Sequence, residues 1–211
     1  MRNTTTMAMN FFDLATTPST PWKNGGGSTQ ELACWPPGAD MNDFEWRVSL
    51  ATVDRPGPFS VFPSIDRQIM LLGGDGLHLR SPGWEHRLEE RWQPFAFSGD
   101  DAVDGAMLGG TSKDFNLMQR RGLWHGPLRV VSDAQSPGST PAGLCMVLQG
   151  EWQWAQAQNA APSVLKAGQG FWWAGEGDPV PGRLEPLRTG GVADAPALVW
   201  IALQRGVNPE V

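Results

Sequence analysis

A two-residue alternation of apolar and polar positions runs through most of this chain. Over residues 44–53, Phe44, Trp46, Val48 and Leu50 fall on one side, and Glu45, Arg47, Ser49 and Ala51 on the other. That period marks a half-buried strand rather than a helix. Residues 113–120 repeat it, with Asp114, Asn116, Met118 and Arg120 opposite Phe115 and Leu117. A corner at Arg55-Pro56-Gly57-Pro58 separates the first strand from the loop 63–67 and a second strand at 68–72. The second strand runs into Gly73-Gly74-Asp75-Gly76, whose glycines permit the positive φ of a tight hairpin, and 77–80 is the returning strand. Further strands are expected over 28–35, 91–100, 107–108, 123–131, 144–148, 151–155, 171–174 and 198–203. Breaks come too often for a helix of ordinary length, and residues 1–17 read as loosely held or as a simple edge segment.

Self-comparison sharpens this picture. Met70-Leu71-Leu72-Gly73-Gly74-Asp75 aligns with Met146-Val147-Leu148-Gln149-Gly150-Glu151 at an offset of 76, and the same offset pairs Phe95, Phe97, Gly99 and Asp100 with Phe171, Trp173, Gly175 and Glu176. Each half therefore holds a strand, a glycine hairpin, a return strand and a later aromatic strand closed by glycine. Small antiparallel jelly-roll barrels are built from such parts. The expected fold is all-β, a bicupin of two cupin-like jelly-roll barrels at roughly 18–120 and 121–211.

Composition narrows the function classes. The chain has 211 residues, enough for a substantial core, with 11 Trp and 9 Phe spread throughout. Glycine and proline make about a fifth of it, which is turn-rich but short of a disordered composition. A net charge of −6 argues against nucleic acid as a partner. No apolar run of roughly 18 residues suggests a membrane span, and MRNTTTMAMN lacks the apolar centre of a signal peptide, so a cytoplasmic location is expected. Cys34 and Cys145 are read as reduced, small hydrophobes.

Familiar catalytic arrangements are missing. A metal-binding cupin needs a His-x-His pair, a nearby Glu and a later His; the three histidines here, His78, His86 and His125, have no such spacing, so no metal or other cofactor is expected. Asn24-Gly25-Gly26-Gly27-Ser28-Thr29 leads into a strand and lacks the Gly-Lys-Ser/Thr ending of a phosphate loop. No Gly-x-Ser-x-Gly elbow is present.

What stands out instead is a polar face. If the polar sides of 44–53 and 113–120 point into the first barrel, Arg47, Ser49, Asp114 and Asn116 meet there. Such groups are costly to bury unless they satisfy one another or a ligand. Each also has a plainer reading: Arg47 and Arg120 on a solvated sheet face, Asp66 capping its turn, Asp114 and Asn116 tying a loop, Trp22 in the core, Lys23 a solvated amine.

Five motifs lie in order along residues 20–122: Trp22-Lys23-Asn24-Gly25-Gly26-Gly27, Trp46-Arg47-Val48-Ser49, Phe59-Ser60-x-Phe62-Pro63-x-Ile65-Asp66-Arg67, the hairpin at 71–76, and Asp114-Phe115-Asn116-Leu117-Met118-x-Arg120-Arg121-Gly122. In these the chain resembles the HutD/Ves family; the second half matches more loosely. The resemblance implies a bicupin without a metal triad, associated with histidine utilisation, that binds a small carboxylate metabolite of the urocanate or formylated amino acid type and modulates pathway flux. It implies a ligand pocket from Trp22, Lys23, Asn24, Arg47, Ser49, Asp66, Arg67, Asp114 and Asn116, whose arginines suit a small anionic metabolite. The alternatives are a metal-independent isomerase or hydrolase with Asp66 or Asp114 as general base, and an interaction module anchored on Trp152, Trp154, Trp172 or Trp173. Oligomeric state stays open between monomer and homodimer.

Overall fold

The computed structural model describes residues 7–155, 163–175, 177, 180–187 and 195–206, and among them every regular element is a strand. The chain divides into two compact units, one built on Thr17–His125 and the other on Gly126–Arg205 with the N-terminal residues up to Thr16.

In the first unit a six-stranded sheet runs Ser19–Pro21, Gly27–Trp35, Trp46–Val53, Ser112–Arg120, Ile65–Gly74, Pro94–Ser98, and a four-stranded sheet runs Gly57–Pro58, Asp104–Met107, Leu77–Ser81, Trp84–Leu88. Turn chemistry sets these limits. Gly74 and Gly76 take φ of +88° and +91°, and the Asp75 carboxylate accepts the Gly110 N–H at 2.6 Å. On one side of the large sheet Trp46, Val48, Phe115, Leu117 and Met70 are wholly buried, each worth roughly 1.5–3 kcal/mol of transfer free energy. On its other, inner side Val53, Ile69, Leu71 and Phe97 share a core cluster with Leu77, Leu79 and Leu88 of the small sheet. The inner side is the one on which the polar residues lie.

In the second unit Met9–Asp13, Gln169–Ala174, Ala142–Gln149 and Ala197–Arg205 pair in that order, and Leu128–Val131 also pairs with Ala197–Arg205. Ser163–Leu165, Glu151–Ala155 and Arg183–Leu187 form a three-stranded sheet. Within the segment 1–17, Met9–Asp13 is an edge strand held along Gln169–Ala174 in continuous register. Among the described residues the sheets run from edge to edge, and none closes on itself.

The internal repeat extends to strand register. Arg67 lies opposite Phe97, Ile69 opposite Phe95 and Met70 opposite Pro94; at the same offset Gly143 lies opposite Trp173, Cys145 opposite Phe171 and Met146 opposite Gly170. The third strands correspond too, with Asn116 opposite Ile69 and Trp200 opposite Cys145. Several boundaries differ from expectation. The second strand begins at Ile65 rather than 68, the expected strand 123–131 is broken into Trp124–His125 and Leu128–Val131, and Trp84–Leu88 and Arg183–Leu187 are additional. Gly126 and Pro127 make the break, since proline has no N–H to donate.

Candidate functional site

Directly opposed residues in antiparallel strands point to the same face. Register therefore assigns three rows across the inner side of the large sheet. The first is Cys34, Arg47, Met118, Arg67, Phe97; the second is Glu31, Ser49, Asn116, Ile69, Phe95; the third is Thr29, Ala51, Asp114, Leu71. Arg47, Ser49, Arg67, Asp114 and Asn116 are thus brought onto one face. Their registers run without interruption, and the irregularities lie at the margins. A shift between Glu31 and Ala33 puts Glu31 and Cys34 on the same side despite their odd separation, and one between Lys113 and Asp114 passes over Leu72 and sets Lys113 opposite Gly73.

Arg67 is a buried cation without a counter-charge among the described residues. It is only 7% exposed, and its guanidinium carbon sits 5.6, 5.6 and 4.7 Å from the ring centres of Phe59, Phe62 and Phe97. A desolvated cation over aromatic faces gains about 2 kcal/mol per good contact. Yet its Nη1 donates only to the Ser60 carbonyl at 3.3 Å, and its Nε has no partner among the described residues. No carboxylate among the described residues pairs with it. Burial first, and then the neighbouring Arg47, depress its pKa to about 10, which leaves it cationic at neutral pH.

Arg47 is differently placed, two strands away across Met118. Its Nε donates to Glu31 Oε2 at 2.7 Å and its Nη1 to Ser49 Oγ at 3.1 Å. Beyond it, Asn116 Nδ2 makes a long 3.5 Å contact to the Asp114 carbonyl, leaving an amide nearly unengaged beside Ser49. Arg120, next along the strand, donates to the carbonyls of Phe44 at 3.0 Å and Asn42 at 2.9 Å.

Asp114 is fully buried, and neither carboxylate oxygen has a hydrogen-bond partner among the described residues. With no cation against it, desolvation lifts its pKa to about 7, so near neutral pH it is partly protonated and able to donate.

The other sequence candidates fall elsewhere. Trp22 is half-buried against this core, and its indole N–H donates to Thr29 Oγ1 at 2.7 Å, at the edge of the third row. Lys23 and Asn24 are exposed; Asn24 Oδ1 accepts the Gly26 N–H at 3.0 Å and so shapes its own turn. Asp66 is not brought into the group. As Arg67's neighbour in a strand it must point to the opposite face, where it is exposed and pairs with Arg121 at 2.8 Å. Conversely, Glu31, Met118 and the three phenylalanines around Arg67 belong to the site. Alternation along 28–35 was the available signal for Glu31, but the bulge obscured it.

The second unit fills most of the equivalent positions with glycine and large apolar side chains. By the repeated register Arg67 corresponds to Gly143, Phe97 to Trp173, Asn116 to Trp200 and Asp114 to Leu198. Trp173 and Trp200 stack at 5.4 Å, and a side chain at Gly143 would overlap the Trp173 ring. The positions of Arg67, Asp114 and Asn116 are therefore nonpolar in the second unit, while Arg129, opposite Trp200, stands where Ser49 does and is exposed. The Trp anchors of the interaction-module alternative are accounted for in part: Trp152, Trp154 and Trp173 are core, and Trp172 is half-buried.

Among the described residues no cluster of three or more His, Cys, Asp or Glu side chains could hold a metal ion. His78 contacts Glu85 at 3.2 Å and Arg80 at 3.1 Å, while His86 stacks on Phe95 with ring centres 3.8 Å apart. No helix of the described residues is long and apolar enough to cross a membrane.

Comparison with known proteins gives matches over most of the chain. The HutD family model matches residues 14–187. Protein Ves from Cronobacter sakazakii is 37% identical over 166 residues, spanning 78% of this chain and 87% of that protein. The solved structure of HutD from Pseudomonas fluorescens SBW25, in a formate condition, superposes with a TM-score of 0.75 at 26% identity, covering 94% of this chain and 99% of the other. A cupin 2 conserved barrel domain protein from Leptotrichia buccalis shares the fold alone, with a TM-score of 0.56 at 9% identity over 92% and 96% of the two chains.

Proposed function

Since this chain belongs to the HutD/Ves family, with an all-β, cupin-like fold, we propose that it is a metal-free binding protein for a small carboxylate, seated on the inner face of the Thr17–His125 unit. Within that reading the chain is a bicupin whose second barrel serves as scaffold, and the guest is a metabolite of the urocanate or formylated amino acid type through which the protein modulates histidine catabolism. The observation that carries it is Arg67: a buried guanidinium without a carboxylate partner among the described residues. An uncompensated buried charge is expensive, and an incoming carboxylate supplies the missing counter-charge and a bidentate acceptor. Asn116 and Ser49, one row away, offer neutral donors to the rest of the guest. A charge-assisted hydrogen bond contributes roughly 1.5–3 kcal/mol, so two or three, less ordering costs, give about micromolar to millimolar affinity. Calorimetric titration with urocanate tests this. Binding that weakens at least tenfold in Arg67→Met is expected; absence of heat, or an unchanged affinity in the variant, refutes it.

A second reading rests on Asp114. A buried carboxyl with its pKa near 7 has the proton affinity of a general base or acid. In that reading the chain is a metal-independent isomerase or hydrolase, and Asp114→Asn abolishes turnover of a carboxylate that the wild type consumes. Asp66, exposed and paired with Arg121, has no such environment. A carboxylate that binds and survives prolonged incubation unchanged rejects the enzyme and keeps the binding protein.

A further inference from the structure

The inner face holds two guanidinium groups but balances them unequally, and that asymmetry bears on which anions it accepts. Arg47 and Arg67 share one row with Met118 between them, so their strands are about 10 Å apart. They sense each other, since Arg47 contributes to the depressed pKa of Arg67. Glu31, on the next row, holds Arg47 at 2.7 Å and neutralises it, while Arg67 has no carboxylate among the described residues. Arg120 is engaged by the carbonyls of Phe44 and Asn42 at the strand end. One positive charge therefore remains uncompensated in the row, with a fixed negative charge beside it.

Resting on the carboxylate-binding reading above, we propose that Glu31 sets the charge class of the guest: the site takes singly charged carboxylates and turns away dianions. A monocarboxylate brings the row to neutrality. A second carboxylate on a small guest has two places to go. Near Arg47 it displaces or faces Glu31, and toward the third row it faces Asp114, a fully buried carboxyl whose oxygens have no hydrogen-bond partner among the described residues. Each place presents a carboxyl group to it, so the second charge loses its hydration without replacement. Glu31 is thus a specificity residue that acts through Arg47 without filling the seat itself. Its side chain is half exposed, so replacing it by Gln leaves the fold in place.

Succinamate and succinate test the assignment, because they share a skeleton and differ by one charge above pH 7. Calorimetric titration of the full chain at pH 7.5 is expected to give succinamate at least a tenfold advantage. In Glu31→Gln, with Arg47 released, that ratio is expected to collapse to threefold or less, chiefly through tighter succinate. Equal or tighter binding of succinate by the wild type, no binding of either probe, or an unchanged ratio in Glu31→Gln overturns the proposal. Urocanate in the same series separates the two levels: if it binds while the charge preference fails, only the role of Glu31 is lost, and if it too is silent, the carboxylate reading goes with it.

Discussion

Replacing Asp114 by Asn removes one titration from the interior at nearly constant side-chain size. The carboxyl is fully buried, its oxygens have no partner among the described residues, and burial raises its pKa from 3.8 to about 7. In the unfolded chain the same group ionises near pH 4. Between those values the folded chain keeps a proton that the unfolded chain has released. Stability is therefore greatest below about pH 4, falls as pH rises, and has lost the whole contribution above about pH 7. About three decades of proton affinity, at roughly 1.4 kcal/mol each, make that loss about 4 kcal/mol, of which about 2.5 kcal/mol falls between pH 5 and 8. Asn carries the same buried-amide cost at every pH, so the difference between wild type and variant isolates the titration. Urea unfolding at pH 5 and pH 8 is expected to show Asp114→Asn gaining about 2.5 kcal/mol on the wild type across that interval. A difference that stays constant within about 0.5 kcal/mol refutes a buried, unpaired carboxyl at this position.

Other substitutions separate binding from folding. Arg67→Met keeps much of the packing against Phe59, Phe62 and Phe97 while deleting an unpaired buried charge, so its urea midpoint is expected to equal or exceed that of the wild type even as carboxylate binding is lost; a large fall in the midpoint would show the charge to be structural. Gly143→Ala drives a methyl into the Trp173 ring and the Ile201 carbonyl and is expected to cost about 1–3 kcal/mol, measured by thermal unfolding. Asp66→Asn removes one exposed ion pair with Arg121 and is expected to cost less than about 1 kcal/mol in urea unfolding, with urocanate affinity within twofold of wild type.

The alternation in the sequence was enough to place Arg47 and Ser49 with Asp114 and Asn116, because both strands keep a strict two-residue period where these residues lie. It misgrouped Asp66 for a physical reason. Counting 65–67 as loop let Asp66 and Arg67 act together, whereas the strand starts at Ile65 and adjacent residues must diverge. Glu31 was illegible because the bulge at Leu32 changes the parity of its strand. Phe59 and Phe62 stood out as motif residues, but nothing in spacing shows two loop phenylalanines and a strand phenylalanine closing around one guanidinium. The repeat at an offset of 76 was visible as short apolar matches. That its second copy replaces Arg67 by Gly143 and Asn116 by Trp200 emerges only from strand register.

The carboxylate seat can be tested most directly by a crystal structure of the chain soaked with urocanate. The carboxylate is expected in a paired contact with the Arg67 guanidinium, with the remainder of the molecule lying along Ser49 and Asn116. Density for the ligand on any other surface, with Arg67 still lacking an anionic partner, would contradict it.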